Sequence, residues 1–395
     1  MLSLAKNGDN NARPDTFSFD AVINAFIHSK LKDAGKRAES VLERGLEFAE
    51  EDGGDMLEIK SFTSILGYYS QQTKVVDSPY RAQYILTRLI ELFKNGNTQL
   101  SPHVSCFTNV MEAYAAQRHH DGGECSEELL RSMIKLQRKY NARHLEVNTG
   151  VMNCVLNSWA ESLGNDQAGV KAEHILDLME RSDTVNKFKM MPNHRTYNLV
   201  LKAISKSSFP PNKAEKALDI LHRGKKRYLD GKLNALPSEY TYSLVIHACA
   251  FSVNADPDMK MKAFEIANDV MTELIDDGTE PSPATYGWFF QVCGRLRIPE
   301  EAIKDDIERI FSRCCDKGRF SEFVLQSLKQ ATSDTLFTNL MTEVLENNGD
   351  IFSQKRGADT KQIIKLSHLP KDWCHDSRTE TKKEESFKSK SRQRN

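Results

Sequence analysis

Residues that could do chemistry are thinly spread along this 395-residue chain. His144-Leu-Glu146 has the His-x-Glu with which a zinc deaminase holds its metal and moves a proton. It lies inside a repeated region, and no Cys-x-x-Cys follows to complete the ligand set. Cys374 and His375 are adjacent, and neighbouring side chains rarely chelate one metal together. The phosphate-cradling Gly-x-x-x-x-Gly-Lys-Ser/Thr is absent, as is the nucleophile motif Gly-x-Ser-x-Gly. His119-His120 falls in an expected loop and is assigned solvation only. No enzyme, metal or cofactor is expected. The basic runs Arg223, Lys225, Lys226 and Arg227, and Lys187 with Lys189, are either phosphate contacts or ordinary solvated helix faces.

The composition decides what class of chain must position such groups. Hydrophobic residues make up 39% and charged residues 28%, which is ample for a core and unlike a disordered chain. With 54 basic and 55 acidic residues the net charge is −1, so any polyanion site has to come from local arrangement. The eight cysteines, Cys106, Cys125, Cys154, Cys249, Cys293, Cys314, Cys315 and Cys374, contain no Cys-x-x-Cys and are read as reduced thiols inside a cell or organelle. The longest stretch free of Asp, Glu, Lys and Arg is Tyr240 to Ala255, which is polar and too short to span a bilayer. Residues 1–13 hold only Lys6 and Arg13 as basic residues and no apolar segment, so neither a secretory signal nor a transit peptide is expected there.

The chain repeats itself. Pro14-Asp-Thr-Phe-Ser-Phe19-Asp-Ala-Val-Ile-Asn-Ala returns as Pro102-His-Val-Ser-Cys-Phe107-Thr-Asn-Val-Met-Glu-Ala. It returns again as Pro192-Asn-His-Arg-Thr-Tyr197-Asn-Leu-Val-Leu-Lys-Ala and as Pro237-Ser-Glu-Tyr-Thr-Tyr242-Ser-Leu-Val-Ile-His-Ala. Weaker copies centre on Phe62, Met152 and Tyr286, and the seven anchors are separated by 43, 45, 45, 45, 45 and 44 residues. Each copy predicts two helices. The first carries apolar groups at i, i+3 and i+4, as in Tyr197, Val200 and Leu201, with Ser or Thr in its first turn. The second starts from a small residue followed by apolar ones at i+3, i+4 and i+7, as in Ala82, Ile85, Leu86 and Leu89. Breakers are assigned to loops: Gly53-Gly54, Gly122-Gly123, Gly164, Pro210-Pro211 and Asp256-Pro257. A lone helical hairpin cannot bury both its apolar faces, so the copies must stack.

The phrase Thr196-Tyr-Asn-x-Val-Leu-x-Ala203, with Lys213-Ala-Glu-Lys-Ala-Leu-Asp-Ile-Leu221 after it, resembles a pentatricopeptide repeat. Thr241-Tyr-Ser-Leu-Val-Ile-His-Ala248 and Lys171-Ala-Glu-His-Ile-Leu-Asp-Leu-Met179 are similar to the same family's first and second helices. Tetratricopeptide repeats want Trp, Gly and Tyr where these copies lack them, and HEAT-type repeats lack the Pro-x-x-x-Thr-Tyr phrase. The step departs from the family, whose repeat is about 35 residues long. The resemblance implies an all-α, right-handed α-solenoid of helix-turn-helix repeats. It implies seven repeats over 14–318, after an N-terminal extension, 1–13. A helical cap and strap is expected over 319–375, with Trp373 docking on the last helices, and a disordered basic tail over 376–395.

The resemblance also implies single-stranded RNA as partner, bound in an organelle, mitochondrion or plastid, one base per repeat along the groove of the first helices. In that family the reading residues are the one after the anchor and the last of the repeat. Here these are Asp20 with Glu58, Thr63 with His103, Thr108 with Asn148, Asn153 with Asn193, Asn198 with Ser238, and Ser243 with Ser282. From Thr108 to Ser282 the pairs are wholly Thr, Asn and Ser. By the resemblance Thr-Asn leans to adenine, and Asn-Asn and Asn-Ser to pyrimidines. The alternative is that these residues cap helices, as they do everywhere, although Asn153 and Asn198 lie inside the helix. The place two before the anchor holds Phe17, Lys60, Ser105, Gly150, Arg195, Tyr240 and Ala284, of which Arg195, Tyr240 and Phe17 can stack on a base. Asp20 with Glu58 is wholly acidic and repels a phosphate chain. The expectation is a monomeric RNA-binding protein for processing, stability or translation of a transcript. The alternative is a helical-repeat scaffold for protein partners.

Overall fold

The computed structural model describes residues 14–52, 57–184, 190–342 and 364–374. Every recurrence of the phrase starts a helix, and at most of them a side chain caps it, while Glu58 and His103 start theirs without a side-chain cap. The residue four before the anchor is extended at Asp15, Asn148, Ser238 and Ser282. Asp15 accepts from the Ser18 amide at 2.8 Å, Asn148 from Val151 at 3.1 Å, Asn193 from Thr196 at 3.1 Å and Ser282 from Thr285 at 3.3 Å. Each bond satisfies one of the amides that a first turn leaves open. The phrase's proline stands just before the cap, outside the helix.

In chain order the pairs are α1 (Thr16–Ile27) with α2 (Ala34–Asp52), α3 (Ile59–Ser70) with α4 (Ser78–Lys94), and α5 (Val104–Ala116) with α6 (Gly122–Tyr140). Next come α7 (Thr149–Glu161) with α8 (Ala168–Thr184), α9 (His194–Lys206) with α10 (Lys213–Leu229), and α11 (Glu239–Ala250) with α12 (Pro257–Asp276). The last are α13 (Pro283–Leu296) with α14 (Glu300–Asp316), and α15 (Glu322–Ala331) with α16 (Asp334–Leu340). Among the described residues these are all the α-helices, and there is no strand. The all-α, helix-turn-helix class expected from the sequence is the class observed.

The chain divides into two compact units between Ala203 and Ile204, inside α9. In the first unit α1, α3, α5 and α7 lie side by side as one layer, backed by α2, α4 and α6, with α8 on α7. In the second, α11, α13 and α15 form such a layer, backed by α10, α12 and α14. All seven anchors are buried, at 6% exposure or less, and so are the small residues that open the second-helix stripes, such as Ala38, Ala82, Ser126, Ala172 and Ala263.

Two expectations need correction. Gly122-Gly123 is not a loop but the first turn of α6. The Trp159 ring lies so close that a Cβ on Gly123 would fall 2.1 Å from it, so glycine serves close approach rather than a break. Asp256-Pro257 likewise starts α12: Asp256 caps it, accepting from the Met259 amide at 2.8 Å, and Pro257 opens the first turn. From Arg319 onward the chain forms two short helices: Thr332 ends α15, and Ser333 caps α16, its amide and hydroxyl both donating to Glu300, at 2.6 and 2.9 Å. Trp373 sits edge-on to Phe311, ring centroids 5.5 Å apart, and its carbonyl accepts from the Phe320 amide at 2.8 Å. Residues 1–13, Gly53-Gly54, Lys187 and Lys189, Leu345, His375 and 376–395 lie outside the described residues.

Candidate nucleic-acid interface

The second member of every expected reading pair stands at a helix cap, because the last residue of one repeat is the residue that starts the next first helix. Asn148, Asn193 and Ser238 are exposed and Ser282 half-buried. Ser238 forms a capping box with Thr241. The post-anchor residues differ. Thr108 is half-buried on α5, its hydroxyl donating to the Ser105 carbonyl at 3.3 Å. Asn153 on α7 and Ser243 on α11 are 4% and 8% exposed, and Asn198 on α9 is half-buried.

One pair is in direct contact. Asn153 Nδ2 donates to Asn193 Oδ1 at 3.3 Å, and the buried Thr196 hydroxyl donates to Asn153 Oδ1 at 2.8 Å. The Asn193 amide N–H returns to Thr196 Oγ1 at 3.0 Å. The three side chains thus tie α7 to the start of α9 and leave Asn153 with its oxygen and one amide hydrogen engaged. The same link joins Asp20 on α1 to Ser61 on α3, whose hydroxyl donates to the Asp20 carboxylate. The post-anchor place is therefore a junction between successive first helices as well as a candidate reader. No hydrogen bond joins Thr108 with Asn148 or Ser243 with Ser282 among the described residues. Asn198 and Ser238 belong to different units.

The residues two before the anchors are the outward ones. Phe17, Lys60, Ser105, Gly150, Arg195, Tyr240 and Ala284 are all exposed. The basic run on α10 is mostly engaged within the protein: Arg223 lies 3.7 Å from Asp219, Lys225 pairs with Glu273, and Arg227 is buried. Lys226 alone of the four is exposed. Charges on the first unit's first helices are compensated in the same way, Glu161 meeting Lys202 and, at 3.6 Å, Arg118. Two thiols on the first helices are held in the protonated form. Burial pushes Cys106 up to about 11, and burial with Glu112 beside it pushes Cys154 up to about 12.

Sequence reasoning missed a cluster in the second unit. The Arg295 guanidinium stacks over the Phe251 ring at 3.9 Å, and Lys213 Nζ lies 5.8 Å from the same ring. His247 packs against Phe251 and Trp288, centroids 4.7 and 4.1 Å away, and Trp288 against Phe323 at 5.1 Å. Lys213 is only 4% exposed, and its one polar contact is the Ser207 carbonyl at 3.0 Å. Burial, then the Arg295 charge, pulls it down to about 8. Burial, then Lys213, Lys206 and Arg295, pulls His247 down to about 4, and its Nδ1 is buried without a partner.

Comparison with protein-family models and with curated proteins finds no match. Solved structures do match. They include the pentatricopeptide repeat protein PPR10 from maize, at 16% identity and a TM-score of 0.45, over 89% of this chain and 46% of that one. Two crystal structures of PPR10 in complex with an 18-nucleotide psaJ RNA element, one with three cysteines replaced by serine, match at 16% identity and a TM-score of 0.40. They cover 88% of this chain and 47% of theirs. This chain is similar to pentatricopeptide repeat proteins of known structure. It spans less than half the length of those it matches.

Counting from the anchors, as the pentatricopeptide frame invites, shows the signal that would have found the cluster. Lys206, Phe251 and Arg295 stand at one place in three successive repeats, nine residues after Tyr197, Tyr242 and Tyr286. In the earlier repeats that place holds His28, Gln71, Ala116 and Glu161. A column of residues, not a run, carries the charge.

Proposed function

We propose that this pentatricopeptide-like chain is a non-catalytic, monomeric protein that binds single-stranded RNA along the exposed edge of its first helices. We place it on an organellar transcript, in a mitochondrion or plastid, in processing, stability or translation. The observation that carries this reading is the outward row two residues before each anchor, where Phe17 is 78% and Tyr240 51% exposed and Arg195 is exposed beside them in sequence register. Bare rings and a guanidinium at a recurring place are stacking platforms, and stacking contributes about 1–3 kcal/mol per base. The caps Asn193 and Ser238 stand two residues before Arg195 and Tyr240, where hydrogen bonds to a stacked base could form.

The exposed carboxylates Glu58 and Glu112 of the first unit favour the second reading, a scaffold for a basic peptide. Selection of the purified chain against a random single-stranded RNA pool, at about 50 and 200 mM salt, separates the two, because phosphate contacts weaken steeply over that range. A short enriched motif, adenine followed by pyrimidines, is the expected result. Absence of binding at both salts rejects RNA and selects the scaffold.

A further inference from the structure

The cluster of Lys213, His247, Phe251, Trp288 and Arg295 has an excess of positive charge that the protein itself does not answer. Lys213 and Arg295 come from α10 and α13, and no carboxylate among the described residues pairs with either. The groups acting on His247 from the surrounding elements are all cationic: Lys213, Lys206 and Arg295. Lys213 meets only the Arg295 charge and the neutral Cys249 thiol, which burial holds up at about 12. Burying a cation beside another without an anion is costly. Elsewhere the chain avoids it, as Lys225 shows by pairing with Glu273.

The donors left over have a consistent character. The Arg295 guanidinium lies 3.9 Å over the Phe251 ring on an exposed residue, and its planar fork of donors suits two oxygens of one anion. Lys213 has two further N–H groups beyond the one given to Ser207. His247 Nδ1 has no partner. Beside these donors lie the rings of Trp288 and Phe251, both half-buried. Two uncompensated positive charges match an anion of charge −2 better than the single charge of a phosphodiester.

We infer that this cluster binds a terminal phosphomonoester of a nucleotide, its base against the Trp288–Phe251 rings, as found at an RNA end or in a free nucleotide. The RNA-end form rests on the RNA reading above; the phosphomonoester site does not. Its pH dependence has two limbs. A phosphomonoester gains its second charge as pH rises through about 6, so binding strengthens there. Lys213 loses its proton as pH rises through about 8, so binding weakens there. His247, pulled down to about 4, and Cys249, pushed up to about 12, keep their charge between those limits, and Lys206 and Arg295 are the other charged groups that face His247.

The test uses the full chain with one single-stranded RNA decamer carrying a 5′-phosphate, a 3′-phosphate or neither, and with adenosine 5′-monophosphate and adenosine. At pH 7 a terminal phosphate at one end should tighten binding about ten- to hundredfold, the size expected of charge-assisted bonds. Arg295→Gln and Lys213→Met should remove that difference and leave phosphate-free RNA bound as before, with thermal melting confirming that both variants fold. Preference for either end, or for the monophosphate over adenosine, supports the site. Monophosphate binding without RNA binding sinks the RNA reading and keeps the site. Equal affinity with and without the phosphate, or a preference that survives Arg295→Gln, overturns the site even where RNA binds.

Discussion

Two polar assemblies, one in each unit, have opposite logic. In the first unit Asn153, Thr196 and Asn193 share a closed set of hydrogen bonds in which the buried donors and acceptors answer one another. In the second, the Lys213 and Arg295 cations crowd the Phe251 ring beside a neutral His247, and no carboxylate among the described residues pairs with either. The first is what a fold does to hold helices in register; buried polar groups are normally satisfied. The second is what a fold tolerates when something outside it supplies the missing partner. Polar residues at recurring places are thus a poor guide to recognition until their hydrogen bonds have been followed.

The contrast can be broken from either side. The largest effect is expected at Gly123→Ala, where a Cβ would meet the Trp159 ring at 2.1 Å. Overpacking against an indole held by Glu127 should cost about 3 kcal/mol, read by denaturant unfolding. An unchanged midpoint would show the first unit to be looser than its contacts imply. Next is Thr196→Val, which leaves Asn153 Oδ1 without its donor in a buried site. A loss of about 1–3 kcal/mol is expected, and a neutral substitution would mean the three side chains are available to a ligand after all.

Lys213→Met should move the other way, raising stability by roughly 1 kcal/mol at pH 7 because a buried charge disappears. The sign follows from linkage. Lys213 titrates near 8 in the folded chain and near 10.5 when unfolded, so the unfolded chain holds more protons between those values. Wild-type stability therefore rises as pH goes from 8 to 10.5. In Lys213→Met that limb flattens, as unfolding at pH 7 and 10 would show; a limb that persists assigns it elsewhere. The smallest effects belong to Arg195→Ala and Tyr240→Ala. Stability should stay within about 0.5 kcal/mol, while RNA affinity drops by about 1–3 kcal/mol per lost stack. Unchanged affinity removes both from the interface.

Much of this was legible beforehand. The seven anchors and the second-helix stripes are core because a 45-residue step of apolar positions admits little else. The misread points share one cause. Glycine at 122 and 123 and proline at 257 break helices in some contexts and begin them in others, and only the neighbour, Trp159 or the Asp256 cap, decides. The cluster escaped because its charges are far apart in sequence, and the eye is drawn to runs such as Arg223 to Arg227, which the fold has mostly neutralised.

The caps carry one more consequence. At Asp15, Asn148, Asn193, Ser238, Ser282, Ser321 and Ser333 the residue is one of a few short side chains able to receive a first-turn amide. Folding thus favours a small alphabet in that column without enforcing it, since Glu58 and His103 start their helices there with no side-chain cap. The mere recurrence of Ser, Asn or Asp there is redundant, as the silent letters of a spelling are. Whatever message the column sends to a ligand is written in the choice among its permitted letters, and each change of letter is also a small change in the stability of a helix.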